Sequence, residues 1–180
     1  MKRVIGIDYS FTCPALCCLM GATALWWVNY KLKGRPYPPL PNVEWTPSTI
    51  DGDVCRFIEL ADWVEAVVRI HQPELIVLED YAFMANGRIT QLAENVGVLK
   101  ARLSLFTIPL QLVAPTAMKK FATGKGNANK DDIWSAFITQ YSTAEGWAAQ
   151  CHPKAARIGS PVADIADAYF LAQYGRHHTS

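Results

Sequence analysis

The chain has 180 residues, 51% of them hydrophobic and 18% charged, a balance that suits one folded domain with a sizeable core and excludes a disordered chain. The formal net charge is +1, so a polyanionic partner has to be held by local patches and not by the field of the whole molecule. The cysteines, Cys13, Cys17, Cys18, Cys55 and Cys151, are odd in number and have no C-x-x-C spacing, which argues against a disulfide framework or a zinc cluster and for free thiols in a reducing, cytoplasmic setting.

Residues 2–8, KRVIGID, predict a short strand that ends on Asp8. ALCCLM and ATALWWVNY predict two more strands in a meander. From Tyr9 to Tyr30 there are 22 residues without a charge, long enough for a membrane span. Pro14, the central Gly21 and the strand just before the run favour two buried strands joined near Met20-Gly21-Ala22, so no membrane partner is expected. Residues 31–50 hold five prolines and predict an extended loop or flap.

Asp51 is the expected cap of the next helix, in which Val54, Phe57, Ile58, Ala61, Val64 and Val68 recur at helical spacing. ELIVLE, 74–79, is a near-continuous apolar run and predicts a buried central strand. A loop with Asn86-Gly87 leads to a helix over about 88–105, with Ile89, Leu92, Val96, Leu99 and Leu103 on its inner face. LQLVAP predicts a short strand, and a short helix follows Pro115. Asn129 is placed to cap a helix to about 141, with Trp134, Phe137, Ile138 and Tyr141 inward. Residues 142–159 are read as irregular. Ser160-Pro161 then opens the last helix, with Ser160 as cap. The order predicts an α/β fold: a five-stranded mixed sheet, three strands in an antiparallel meander plus parallel strands, flanked by helices. One domain is expected over 1–175, with 176–180, including His177 and His178, as a flexible tail.

Acidic groups stand in apolar settings at three places. Asp8 ends the first strand and Glu79 ends the central one. If those strands are parallel neighbours, both carboxylates emerge at the same edge, where open α/β sheets collect ligands. Asp164 and Asp167, in SPVADIADAYFLAQYG, are three apart and share a helix face. An unpaired carboxylate in a core costs several kcal/mol, on the order of the penalty for a buried ion, and a shared cation removes that cost. Hard oxygen donors in this number suit Mg2+ or Mn2+. The plainer account makes Asp164 and Asp167 a complement to the helix dipole at the surface and Asp8 a turn residue.

From Pro115 to Lys130 the chain carries Lys119, Lys120, Lys125 and Lys130 and no acid, in a segment opened by two glycines and two asparagines. This suits phosphate contact, although most charge runs are solvated surface. GKGNANK lacks the spacing of a nucleotide-binding P-loop, so no nucleotide cofactor is expected. Lys130 opens a predicted helix, where an anion is already favoured, and is the lysine expected closest to the chemistry. Tyr81 and Phe83 share a loop with Arg88. A loop aromatic there either wedges between bases or packs under the loop. Lys31, Lys33 and Arg35 are read as solvated.

GIDYS at the start, LEDYAFMANGR in the middle and ADIADAYFLA near the end resemble, in order and over nearly the whole chain, the RuvC family of Holliday-junction resolvases. The small size and divergent loops look more like a bacteriophage member than a bacterial housekeeping one. The resemblance implies an RNase H-like fold, a homodimer built on the helix 88–105, and nicking of four-way DNA junctions to leave 5′-phosphate and 3′-hydroxyl ends. It implies Asp8, Glu79, Asp164 and Asp167 as catalytic carboxylates around two metal ions, and basic residues where Lys119 and Lys130 stand. It also implies a junction-contacting aromatic at Phe83, with Tyr81 as the alternative. Tyr-Ser follows Asp8 where the bacterial enzymes favour Pro-Gly, and the Pro-rich segment 31–50 is longer than expected. Other readings stay open: an RNase H-like nuclease for flaps or RNA–DNA hybrids, or a non-catalytic protein that binds branched DNA.

Overall fold

The first strand, β1 (Val4–Asp8), runs through the middle of a six-stranded sheet. The computed structural model describes residues 2–80 and 89–178. β2 (Ala15–Met20) and β3 (Thr23–Lys31) continue from β1 as an antiparallel meander, turned at Gly21 with φ 61°. The uncharged run is thus a buried hairpin. No helix among the described residues is long and apolar enough to cross a membrane. β5 (Leu75–Glu79) and β6 (Leu110–Val113) add in parallel on the other side.

The sixth strand corrects the expected count. β4 (Val43–Ser48) lies inside the Pro-rich segment and pairs in parallel with β3. It is an edge strand, and that position tolerates Pro47, which has no N–H to donate to a ladder. The helix after it, α1 (Asp53–His71), is preceded by Gly52 and not capped by Asp51. Asp51 instead pairs with Lys31 at 3.7 Å. Phe57, Ala61, Val64 and Val68 are buried as their spacing predicts, whereas Val54 and Ile58 are exposed.

Side chains alternate across the sheet and divide the core in two. Ile5, Ile7, Ile76 and Leu78 face α1 and α2 (Ile89–Leu103). Val96, Leu99 and Leu103 of α2 are buried in that core, as their spacing predicts. Val4, Leu75 and Val77 face the other layer, which holds α3 (Pro115–Thr123), α4 (Lys130–Gln140), the short α5 (Trp147–Cys151) and α6 (Val162–His178). Segment 142–159, read as irregular, thus contains a helical turn and α5. Trp26 joins this layer to the sheet through edge contacts with Phe137 and Trp147 at 6.0 and 5.6 Å.

α6 lies directly on β1 and β5. A Cβ at Gly6 would overlap the carbonyl of Ala168 and the amide of Ala172, and one at Gly175 would overlap the Val77 side chain. Two glycines therefore allow this close approach. α6 also runs to His178, through the segment expected as a tail, and His178 stacks on Tyr174 at 4.0 Å.

Candidate functional site

Asp8 and Glu79 reach one place through the strand period. Val4, Gly6 and Asp8 point to the α6 face of β1, and Leu75, Val77 and Glu79 to the same face of β5. The pairing of Ile7 with Leu78 sets the two carboxylates side by side at the carboxyl ends of parallel neighbours. Gly6 touches α6 at Ala168. Two residues further along β1 is roughly 7 Å, and one turn back along α6 is roughly 5 Å. Asp8 therefore comes level with Asp164 and Asp167.

The four carboxylates feel one another. Burial, then the charges of Asp164, Glu79 and Asp167, hold the Asp8 carboxyl well above the ordinary range, against a smaller opposing pull from Lys130. Glu79 is pushed up to about 7, chiefly by burial and next by Asp167. Asp167 is pushed up to about 7 by burial and by Asp164. Asp164 is raised by burial and drawn back by hydrogen bonds from Ser160 and Cys13 and by Lys130. Its Oδ2 is buried with no hydrogen-bond partner. Asp8 and Asp164 are only 9% and 5% exposed, too little for a pair of surface acids that merely complement a helix dipole.

The basic segment divides. Lys130 is the first residue of α4, behind the reciprocal cap of Asn129 and Asp132 with bonds of 2.9 and 3.0 Å, and its charge acts on all four carboxylates. Lys119, on α3, acts on Glu79 and Asp167. It arrives there because Glu79 pairs with Val113 and α3 starts two residues later. Lys120 and Lys125 are exposed, on α3 and in the loop after it. Tyr81, Phe83 and Arg88 lie outside the described residues.

Several groups at the site escaped the sequence reading. Asp80 lines a cleft of about 130 Å3 with Asp8, Tyr9, Ser10 and Glu79. Adjoining it in the chain, Phe11, Thr12, Lys31, Lys33, Thr90 and Gln91 line a wider, open depression of about 670 Å3. Cys13 follows a turn in which its N–H donates to Ser10 Oγ at 3.0 Å, and its thiol is held protonated by burial and by Asp164. α6 begins at Val162, two residues after Ser160, the residue expected to cap it, and Ser160 draws the Asp164 carboxyl down. Asp80 had a signal, its place beside Glu79. Cys13 and Ser160 had none.

The donor set fits a hard divalent cation: four oxygen ligands from three elements, one of them with an orphaned buried oxygen. Among the described residues, no group of three or more His, Cys, Asp and Glu side chains is already gathered tightly enough to hold an ion. The fit rests on donor chemistry and on the mutual repulsion that a cation would relieve.

No family model matches the chain. It is 31% identical over 94 residues, 52% of this chain and 58% of the relative, to crossover junction endodeoxyribonuclease RuvC of Synechococcus sp. strain CC9311. It is 30% identical over 95 residues, 53% of this chain and 60% of the relative, to the protein of the same name from strain CC9605. The chain thus spans little more than half the length of these curated relatives. Among solved structures it is similar to Thermus thermophilus RuvC in complex with a Holliday junction substrate, with a TM-score of 0.63 and 20% identity over 99% of this chain and 98% of that one. The likeness shows the fold, which is the RuvC fold.

Proposed function

We propose that this chain, RuvC-like in sequence and in fold, is a divalent-cation-dependent endonuclease that resolves four-way DNA junctions. The observation that carries the reading is the meeting of Asp8, Glu79, Asp164 and Asp167 with Lys119 and Lys130 at the carboxyl edge of β1 and β5. An acidic cluster without a cation repels phosphate, so a pure DNA-binding role leaves these four groups without a use.

In this reading the four carboxylates hold two Mg2+ ions per site, with Mn2+ able to substitute. When bound, such ions supply an activated water and stabilise charge on the leaving oxygen. Lys130 holds the scissile phosphate at the N-terminus of α4, where the helix already favours an anion. Lys119 sits on the Glu79 side and neutralises charge there. Lys120 and Lys125 contact phosphates farther along the DNA, and Tyr81, Phe83 and Arg88 remain candidates for junction contact. The products are 5′-phosphate and 3′-hydroxyl ends. Paired symmetric nicks call for a homodimer, because two sites related by a two-fold match the symmetry of the junction. The setting is the cytoplasm, that of the host if the chain is phage-encoded.

The test is cleavage of an end-labelled synthetic four-way junction beside duplex, flap and RNA–DNA hybrid, with Mg2+, Mn2+ or EDTA. Symmetric junction nicks that vanish in EDTA and in Asp167→Asn, with folding and junction binding retained, are expected. Preferential cutting of flaps or hybrids would replace the substrate. Tight junction binding without cutting under any metal would make the protein a binding module.

A further inference from the structure

The cleft lined by Asp8 and Glu79 adjoins the open depression of about 670 Å3, and two elements run from one into the other. Tyr9 and Ser10 line the cleft, and the next residues, Phe11 and Thr12, line the depression. On α2, Leu92 and Val96 line the cleft, and Thr90 and Gln91 line the depression. A nucleic-acid strand that leaves the cleft between these two walls enters the depression. Lys31 and Lys33 stand there, and Asp51 is the one acid among the described lining residues. The first turn of α2 holds no acid, so its backbone amides add to the preference for an anion.

The loop between cleft and depression is fastened on several sides. Arg56 Nε donates to the Phe11 carbonyl at 3.4 Å, and Arg56, fully buried, pairs with Glu59 at 2.6 Å. Phe11 meets the edge of Phe57 at 5.7 Å, and the Lys31 N–H donates to the Thr12 carbonyl at 3.2 Å. The Lys31 ammonium lies over the Phe11 ring, 5.1 Å from its centre, which steadies it on this wall. Its charge is met by Asp51 at 3.7 Å, and the Asp51 side chain is 97% exposed. An ion pair this long and this exposed is worth little, so a phosphate can take the place of Asp51.

We propose that the depression is a second DNA-contact site, in which Lys31 and Lys33 hold phosphates of the strand flanking the scissile one and Asp51 occupies Lys31 until the DNA arrives. The proposal rests on the junction-cutting reading above and deepens it by giving the DNA a path out of the cleft. The sequence reads both lysines as solvated. What singles them out is the fold, which brings the end of β3 beside the loop after Asp8. Each phosphate that a lysine neutralises releases counterions, so each lysine contributes affinity and salt dependence together. Neither touches the reacting atoms.

The test is binding of a labelled four-way junction in EDTA, read by fluorescence anisotropy at several salt concentrations, with melting temperature as the check on folding. The proteins are wild type, Lys31→Ala, Lys31→Arg, Lys33→Ala, Asp51→Asn and the double variants Lys31→Ala/Asp51→Asn and Lys31→Ala/Lys33→Ala. Each single alanine variant should flatten the slope of log affinity against log salt by about 0.9, the share of one phosphate contact, and Lys31→Arg should keep the slope. Asp51→Asn should bind severalfold more tightly, and that gain should shrink in the Lys31→Ala background. A neutral methylphosphonate a few nucleotides from the cut should weaken binding by wild type and leave Lys31→Ala/Lys33→Ala unmoved. Lys33 is exposed, so its variant gives a reading even if Lys31→Ala disturbs the loop. Wild-type affinity and slope in both single alanine variants would overturn the depression as a DNA site and leave the resolvase reading standing. Flattened slopes in a protein that cuts nothing with Mg2+ or Mn2+ would keep the site and overturn the resolvase reading. No junction binding by wild type, in EDTA or in Mg2+, would overturn both.

Discussion

Two lysines differ in what they see. Lys130 acts on Asp8, Glu79, Asp164 and Asp167, whereas Lys119 acts on Glu79 and Asp167. A cation within reach of the whole cluster is the one placed to steady charge at a phosphate bound there. Lys130→Ala should therefore lower the junction-cutting rate on the order of 10²-fold, by analogy with loss of one charge-stabilising donor. Lys119→Ala should cost less. Lys120→Ala and Lys125→Ala should weaken binding and reduce its salt dependence with little change in the rate at saturation. Single-turnover cleavage with filter-binding isotherms separates these effects, and equal behaviour of all four variants would return the segment to a solvated loop.

At the scale of elements, the site depends on how closely α6 approaches the sheet. At Gly6 the obstacle to a side chain is backbone, the Ala168 carbonyl and the Ala172 amide, which move only if the helix moves. At Gly175 it is the ends of Val77, Leu75 and Val4 side chains, which have some freedom. Gly6→Ala is expected to cost more than about 3 kcal/mol, at the upper end for an overpacked core, and Gly175→Ala less. Displacing α6 also draws Asp164 and Asp167 away from Asp8. Urea denaturation and Mn2+ affinity measured together check both effects. A Gly6→Ala protein of full stability would mean that α6 is not held against β1 in this way.

For the molecule as a whole, the carboxylates make stability depend on pH and on metal. Glu79 and Asp167 have ordinary values of 4.5 and 3.8 and are raised to about 7. Between those limits the metal-free native state keeps protons that the unfolded chain has lost. The contribution of these two groups to stability is greatest below the unfolded values and is lost as pH rises to about 7. The melting temperature of EDTA-treated protein should fall from pH 5 to pH 7.5, and Asp167→Asn should flatten the trend. Mg2+ or Mn2+ at pH 7.5 should restore it, because a ligand bound by the native state alone stabilises that state. A melting temperature flat with pH and unmoved by metal would remove the cluster from the stability of the chain.

By itself the sequence determined what short-range geometry dictates. The i, i+3 spacing aligns Asp164 with Asp167, and Asn129 makes the cap that presents Lys130. These relations are set by the covalent chain within a few residues, so they can be read without a fold. Only the tertiary structure decided what meets across long separations. β5 pairs in parallel with β1 and brings Glu79 beside Asp8, β4 finds β3 inside a proline-rich stretch, and Asp51 leaves its helix for Lys31. An apolar stripe is the same pattern whether it covers a core or a partner, and two carboxylates far apart in the chain become one site only when their strands pair. That packing is set by the sum of the molecule's contacts, and no local stretch of sequence encodes it.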